Sequence, residues 1–322
     1  MKKIIISSVF AAMATFPVLA LDLNLSVKDA GLRVLTAKEA PEGFGRGLPM
    51  GPSALHYAGT GLWAVDSIAG RLVEFDNSGK EVASLTVKDG DKLVISDFAM
   101  IADETGKSKG FWLVGSEKPE VIKIDNAGNV LASFSTDLNI QTRIEMLPGG
   151  RLAIFDQGMS AFAVYDETGR MLFKQTGIGS GIAIEKNGDI LFLSLEEVGL
   201  EDKLFLYRRA DADGKIIKVC ELPFAPESNP ALLLGLDNGQ VLIGFHSLDE
   251  ESDEATYNIC KVAADGNVTA TMNTGFPAPF ISRPVINSGS KLMLVSFVEE
   301  NGQYLLRLSD LAEELIEEAA EG

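Results

Sequence analysis

"RLVEFDNSGK", from Arg71 to Lys80, returns as "EVIKIDNAGN" from Glu120 to Asn129 and as "FAVYDETGR" from Phe162 to Arg170. Looser copies are "YRRADADGK" (Tyr207 to Lys215) and "KVAADGN" (Lys261 to Asn267). Each phrase is an apolar run closed by a turn that ends in glycine. In four of the five an aspartate stands three residues before that glycine: Asp76, Asp125, Asp166 and Asp211. Aspartate closes such a turn with its own side chain, and glycine takes the positive φ at low cost. The turn glycines are Gly79, Gly128, Gly169, Gly214 and Gly266, with Ala312 at the sixth place, so the steps are 49, 41, 45, 52 and 46 residues.

Reading outward from each turn gives a β-rich run, a second turn and another β-rich run. "GLWAVDSIAGRLVEFDNSGKEVASLTV" (Gly61 to Val87) is matched by "GFWLVGSEKPEVIKIDNAGNVLASFS" (Gly110 to Ser135), with Trp63 and Trp112 in the same place. An earlier apolar run precedes each unit: residues 54–58, 98–102, 144–147, 182–185, 231–236 and 284–287. Four β-type runs per unit, at a period in the forties, describe the blade of a β-propeller. One blade cannot bury both faces of its sheet, so the unit repeats until a ring closes. The expected fold is therefore all-β, a six-bladed β-propeller of four-stranded antiparallel blades. The ring should be closed by an N-terminal strand, for which Leu32–Ala37 ("LRVLTA") is the candidate. The tail "LAEELIEEAAEG" reads equally as a competing strand or a short acidic helix.

Residues 1–20 read differently from the rest. Lys2 and Lys3, an apolar run from Ile4 to Phe16, and Val18-Leu19-Ala20 have the layout of a secretory signal peptide cleaved after Ala20. The remainder, 21–322, is expected to be a single propeller domain in the periplasm or outside the cell. No apolar run approaches the ~20 residues of a membrane-spanning helix, so no membrane span is expected. The formal charge is −18 and becomes −20 once Lys2 and Lys3 are gone. Nucleic acid is excluded as a partner, because its binding rests on cations set against phosphates. The densest acidic run, Asp249–Glu254, reads as a solvated loop. The two cysteines, Cys220 and Cys260, fall on neighbouring repeats and read either as a disulfide or as two buried thiols.

In a propeller the loops leading into the innermost strands ring one mouth of the central channel. Aligning the repeats places Met50 to Ser53 with His56 there in blade 1, Asp97 in blade 2, and Arg143 with Glu145 in blade 3. Ser180 follows in blade 4, Asn229 in blade 5 and Arg283 in blade 6. Arg143 and Arg283 stand three blades apart, so they face each other across the ring. Two guanidiniums at one mouth suit a carboxylate or phosphate, unless each is paired with a neighbouring acid or carbonyl. The candidate ligand-binding set is Arg143, Arg283, Asp97, Glu145, His56 and Asn229. His56 and His246 come from different blades and read as structural rather than as a shared metal site. "DADG" at Asp211–Gly214 lacks the terminal glutamate of a calcium loop and reads as the ordinary turn of the repeat. No catalytic residue, metal or cofactor is assigned.

The phrase "VxxFDxxGxxxxxF" resembles the NHL-type six-bladed propellers over essentially all of residues 21–322. That resemblance implies a binding platform more often than a lyase or hydrolase. "MGPSALHYAGTGLWAVDSIAGRLVEFD" resembles the opening of the gluconolactonase/regucalcin family, metal-dependent lactonases in which the glutamate of an "EGP" triplet binds the metal. Here the triplet is Met50-Gly51-Pro52, and the later positions read Gly179-Ser180-Gly181 and Asn229-Pro230-Ala231. A thioether does not replace a carboxylate for a hard divalent ion, so the resemblance implies a shared fold without that metal site. The expected function is an exported, non-enzymatic binding propeller holding a small anion, a peptide or a partner protein at the channel mouth. The alternative is a divergent hydrolase or lyase using Asp97, Glu145 and His56. Convergence of those three groups is what an enzyme requires, whereas a structural role requires only that each be satisfied.

Overall fold

The apolar runs become six antiparallel sheets. The computed structural model describes residues 23–26, 51–58, 61–76, 78–88, 94–104, 106–115, 118–236, 239–248, 255–274, 281–287, 291–300 and 303–311. After β1 (Leu23–Ser26), blade 1 is built from β2 (Leu55–Ala58), β3 (Gly61–Asp66), β4 (Arg71–Phe75) and β5 (Glu81–Thr86). Blade 2 holds β6 (Ile95–Ala102), β7 (Ser108–Gly115), β8 (Glu120–Ile124) and β9 (Val130–Ser135). Blade 3 holds β10 (Gln141–Met146), β11 (Leu152–Asp156), β12 (Ala161–Tyr165) and β13 (Met171–Thr176). Blade 4 holds β14 (Ile182–Ile184), β15 (Ile190–Val198), β16 (Glu201–Arg209) and β17 (Ile216–Leu222). Blade 5 holds β18 (Ala231–Gly235), β19 (Val241–Leu248), β20 (Ala255–Val262) and β21 (Val268–Asn273). Blade 6 supplies β22 (Val285–Asn287), β23 (Leu292–Glu300) and β24 (Gln303–Asp310), and β1 lies antiparallel along β24 with Leu25 opposite Leu306.

Burial explains why the second and third strands read as unbroken apolar runs. Every residue of β3, β11 and β12 is buried, because each face of the sheet packs on a neighbouring blade. The outer strands β5 and β9 are mostly exposed. Among the described residues the core divides into one apolar cluster per blade interface. Trp63, Phe98 and Phe111 join blades 1 and 2; Trp112, Leu138 and Tyr165 join blades 2 and 3. Phe155, Phe162 and Phe192 join blades 3 and 4, and Leu204, Leu232 and Ile243 join blades 4 and 5. Tyr257, Leu294 and Leu311 lie between blades 5 and 6. The ring closes where Leu55, Leu62 and Phe75 of blade 1 pack on Ile286, Val295 and Leu306 of blade 6. Each fully buried side chain of this size stabilises by about 1.5–3 kcal/mol.

The repeated turn does more than reverse the chain. Gly79, Gly128, Gly169, Gly214 and Gly266 all have positive φ between the third and fourth strands of their blades, as the spacing predicts. In blade 2, Asp125 Oδ1 accepts the amides of Ala127 and Asn129 while Gly128 N–H donates to the Asp125 carbonyl. A Cβ on Gly128 would lie 2.2 Å from the carbonyl oxygen of Thr86, on the outer strand of blade 1. The Gly128 carbonyl in turn accepts Lys88 N–H at 2.9 Å. The turn of one blade is thus docked on the edge of the previous blade, and only glycine fits between them.

Some expectations meet a different outcome or none. Leu32–Ala37, Ala312, the acidic run at 249–254 and the tail from 312 lie outside the described residues. Cys220 and Cys260 are free thiols, not a disulfide. Cys260 is buried within the interface of blades 4 and 5, and burial pushes its thiol up to about 12. The Asp211–Gly214 segment is a turn, with Asp211 held by both terminal nitrogens of Arg151 at 2.6 Å. No helix among the described residues is long and apolar enough to cross a membrane.

Gly128 and Gly106 separate the two demands on a turn glycine. Both have φ near +80°, but nothing stands within 4 Å of a Cβ at Gly106. Gly106→Ala should lower stability by about 1 kcal/mol from backbone strain alone. Gly128→Ala should add about 1–3 kcal/mol more for the contact with Thr86. Urea unfolding of both variants checks this; equal losses would remove the docking role.

Candidate functional site

The inner strands of a propeller run side by side along the channel, so their alternate side chains meet at its axis. Three of these strands are interrupted by β-bulges. The ladder slips between Ile95 and Asp97 in β6, between Gln141 and Arg143 in β10, and between Leu232 and Leu234 in β18. A bulge re-aims the next side chain and frees backbone groups from the ladder. Here the slips turn Asp97 and Arg143 inward and release the carbonyl of Leu233. Asp97 and Arg143 therefore stand on strands β6 and β10, where the sequence reading put them just ahead of the inner strands, and Glu145 stands on β10 within the run read as strand. His56 is in β2, and Arg283 lies just ahead of β22.

These five side chains form one cluster. Arg283 reaches from blade 6 to Asp97 in blade 2, donating from Nη2 to Oδ2 at 2.6 Å and from Nε to both oxygens at 3.2 Å. Its Nη1 donates to Glu145 Oε1 at 2.6 Å, and its Nη2 also donates to the Ile144 carbonyl at 2.6 Å, both in blade 3. Arg143 donates to the same Glu145 oxygen from Nε at 2.9 Å, and from Nη1 to the freed Leu233 carbonyl of blade 5 at 3.3 Å. Asp97 further accepts Ile144 N–H at 2.9 Å and faces His56 Nε2 at 3.4 Å. The His56 ring is set edge-on against Phe98 at 4.5 Å. Backbone links stitch the same end of the channel: Ser282 N–H to the Ser53 carbonyl at 2.7 Å and Leu232 N–H to the Ser180 carbonyl at 2.8 Å. Ser53 Oγ also donates to the Ile95 carbonyl at 2.9 Å.

Burial and charge act against each other here. Asp97 is fully buried, and Arg143 and Arg283 are each 6% exposed. Burial alone would raise the pKa of Asp97, but Arg283 and the hydrogen bond from His56 outweigh it and hold the carboxyl well below its usual range. Glu145 is likewise pushed up by burial and brought below its ordinary value by Arg283 and Arg143. Burial and the charge of Arg283 lower the pKa of His56, against the pull of Asp97 and Glu145, so the imidazole is neutral at pH 7. Two carboxylates face two guanidiniums and the cluster carries no net charge. Both guanidiniums thus have internal acids as partners; neither waits bare for an anion.

Only part of the cluster reaches outward. The side chains of His56 and Glu145 are 22% and 20% exposed. Glu145 Oε1 takes N–H groups of both Arg143 and Arg283, and no hydrogen bond among the described residues falls on Oε2. Asn229, the sixth candidate, is exposed and sits in the left-handed conformation at φ 49°, its N–H on the Pro226 carbonyl. Asparagine is a residue that tolerates this conformation, so the turn explains it, and it makes no contact with the cluster. His246 packs edge-on against Tyr257 within blade 5. Met50 lies outside the described residues, among which no group of three or more His, Cys, Asp or Glu side chains gathers as a metal cage. The carbonyls of Leu233 and Ile144 carry no side-chain signal, and sequence reading missed them. The bulges that present them are visible only in the strand pairing.

No family model and no curated protein matches this sequence. Solved structures match in fold. Virginiamycin B lyase from Staphylococcus aureus is 9% identical with a TM-score of 0.51, covering 86% of this chain and 98% of that one. The Cps50 (Swd1) β-propeller domain of Myceliophteria thermophila is 10% identical with a TM-score of 0.51, covering 80% and 84%. A protein of unknown function from Bacteroides caccae is 13% identical with a TM-score of 0.49, covering 73% and 84%. At these identities the likeness is one of propeller fold.

Arg283→Ala should leave Asp97 buried without its counter-charge and cost about 3–5 kcal/mol at pH 7. In the wild type the folded-state pKa of Asp97 and Glu145 is depressed, so their contribution is complete above the unfolded values of roughly 4. It is lost only as pH falls through the lower folded values. In the variant, burial raises Asp97 and the missing charge can be replaced by a proton on Asp97 or His56. The stability gap between variant and wild type should therefore narrow from pH 7 to pH 5. Urea midpoints at the two pH values test this; a constant gap would mean that Arg283 contributes packing rather than charge.

Proposed function

We propose that this chain is an exported, non-enzymatic binding propeller that receives its ligand at the channel mouth, over the ion cluster. The observation that carries this reading is the mutual satisfaction of the four charges. Such a cluster makes a stiff, net-neutral polar floor, and preorganised polar groups favour recognition because little is ordered on binding. A peptide or another donor-bearing small molecule suits this floor better than a free anion. It can donate to Glu145 Oε2 and meet the exposed edge of His56, whereas an anion would have to displace a carboxylate from Arg143 or Arg283. The repeat phrase supports an NHL-type assignment, and the layout of residues 1–20 supports export.

A second reading, a hydrolase or lyase, is favoured by the convergence of His56, Asp97 and Glu145. A neutral imidazole backed by a buried carboxylate is a competent general base, and His56 is held in that way by Asp97. Native mass spectrometry of the protein taken from the exported fraction of its producing cells separates the two readings. The binding reading expects a small molecule or peptide released intact in stoichiometric amount, and lost in Glu145→Gln. It fails if the wild type, but not His56→Ala, converts the released compound to a product of different mass.

A further inference from the structure

The blades are not alike at the mouth end. Inner strands run away from the mouth, so second strands return to it and each hairpin between second and third strands has its tip there. In blades 1 and 3 those hairpins are short, with strands of six and five and of five and five residues. In blades 4, 5 and 6 they are longer: β15 and β16 have nine residues each, β19 and β20 eight each, and β23 and β24 nine and eight. The blade 4 hairpin turns at Gly199-Leu200. Leu200 is 100% exposed, while no other large apolar side chain among the described residues exceeds 57%. Leu195 and Val198, lower on the same hairpin, are 48% and 45% exposed. Glu197, Glu201 and Asp202 are exposed around the tip.

The base of this prong is braced. Lys218 pairs with Glu196 and lies 3.7 Å from the centre of the Phe205 ring, and Lys203 pairs with Glu221 at 2.7 Å. Glu201 adds to the field that Glu221 sets on Lys203, while Glu197 and Asp202 join no ion pair among the described residues. A stiff hairpin that holds leucine and valine in water, ringed by uncommitted carboxylates, has the layout of an interface anchor within a polar rim. We infer that the β15–β16 prong is a docking element that inserts Leu200 into an apolar pocket of a partner protein, rimmed by Lys and Arg. Charge decides the occupant. A second copy of this chain, with a formal charge of −18, would bring like charge to the prong, and an anionic lipid surface would repel it.

A benzophenone amino acid placed at position 200 tests the inference in the producing cells, with the same group at Val82, exposed on β5, as the control. The expected result is one partner polypeptide crosslinked from position 200 and not from 82. With that partner purified, Leu200→Asp should weaken binding by roughly tenfold or more. Raising the salt should weaken wild-type binding, as screening of opposed charges requires. The inference is overturned by no discrete adduct at 200, by the same adduct at 82, by a second copy or a lipid as the adduct, or by an affinity that Leu200→Asp leaves unchanged. Retention of the mouth ligand by Leu200→Asp in native mass spectrometry would show the variant folded and keep this outcome separate from the mouth reading.

Discussion

Arg283 is the residue on which the centre of this ring depends. It belongs to the last blade, yet its partners Asp97 and Glu145 belong to the second and third. Removing either carboxylate leaves one buried positive charge uncompensated, and removing the guanidinium strands the fully buried Asp97, since Glu145 keeps Arg143. Partly broken ion clusters of this kind are worse than none, so the five side chains stand or fall together. Apolar side chains at the same axis would cost less to bury. What they could not do is specify a single alignment of six similar blades, because apolar contacts are indifferent to register. Hydrogen bonds from one guanidinium to Oδ1, Oδ2, Oε1 and a carbonyl have no such freedom.

The bulges in β6, β10 and β18 follow from that demand. A regular ladder would present each inner strand at the same height with the same face, and the side chains of six blades would point past one another. Slipping the register at Asp97 brings its carboxylate into the reach of Arg283, and the slip before Arg143 sets that guanidinium beside Glu145, which Arg283 also reaches. The slip at Leu233 exposes a carbonyl to cap Arg143. Neutrality then follows: two carboxylates and two guanidiniums cancel, and His56 stays uncharged because Arg283 and burial both disfavour a proton on it.

The fold was legible because its cause repeats. Asp125 and Gly128 make a turn that docks on Thr86, Gly169 and Gly266 meet Phe134 and Glu221 of their own preceding blades, and the positive φ shared by all five turns writes a similar phrase five times along the chain. Core strands such as β11 and β12 read as unbroken apolar runs for an equally local reason, burial on both faces. Five of the six candidate site residues were legible too, since a charged side chain on an inner strand has few places to go but the axis. The partners were not. Whether Arg143 and Arg283 meet an external anion or internal acids turns on the bulges of the inner strands, which no residue type announces. Asn229 stands apart from the cluster, where it holds an αL turn, a role that leaves the same mark in the sequence as a ligand would.

The parts that do not repeat are therefore where function has to be sought, and they fall in two places. One is the axis, where five of the six blades contribute different groups to a common floor. The other is the mouth-side hairpins, short in blades 1 and 3 and long in blades 4, 5 and 6, of which the blade 4 hairpin ends on the exposed Leu200. A ring of identical blades would have a symmetric mouth and could select a ligand only by size. The floor here draws on blades 1, 2, 3, 5 and 6, and the prong stands on blade 4. A molecule approaching the mouth thus meets carboxylate and imidazole below and a leucine-tipped wall on one side. That asymmetry fixes an orientation, which a ring built by repetition does not supply by itself.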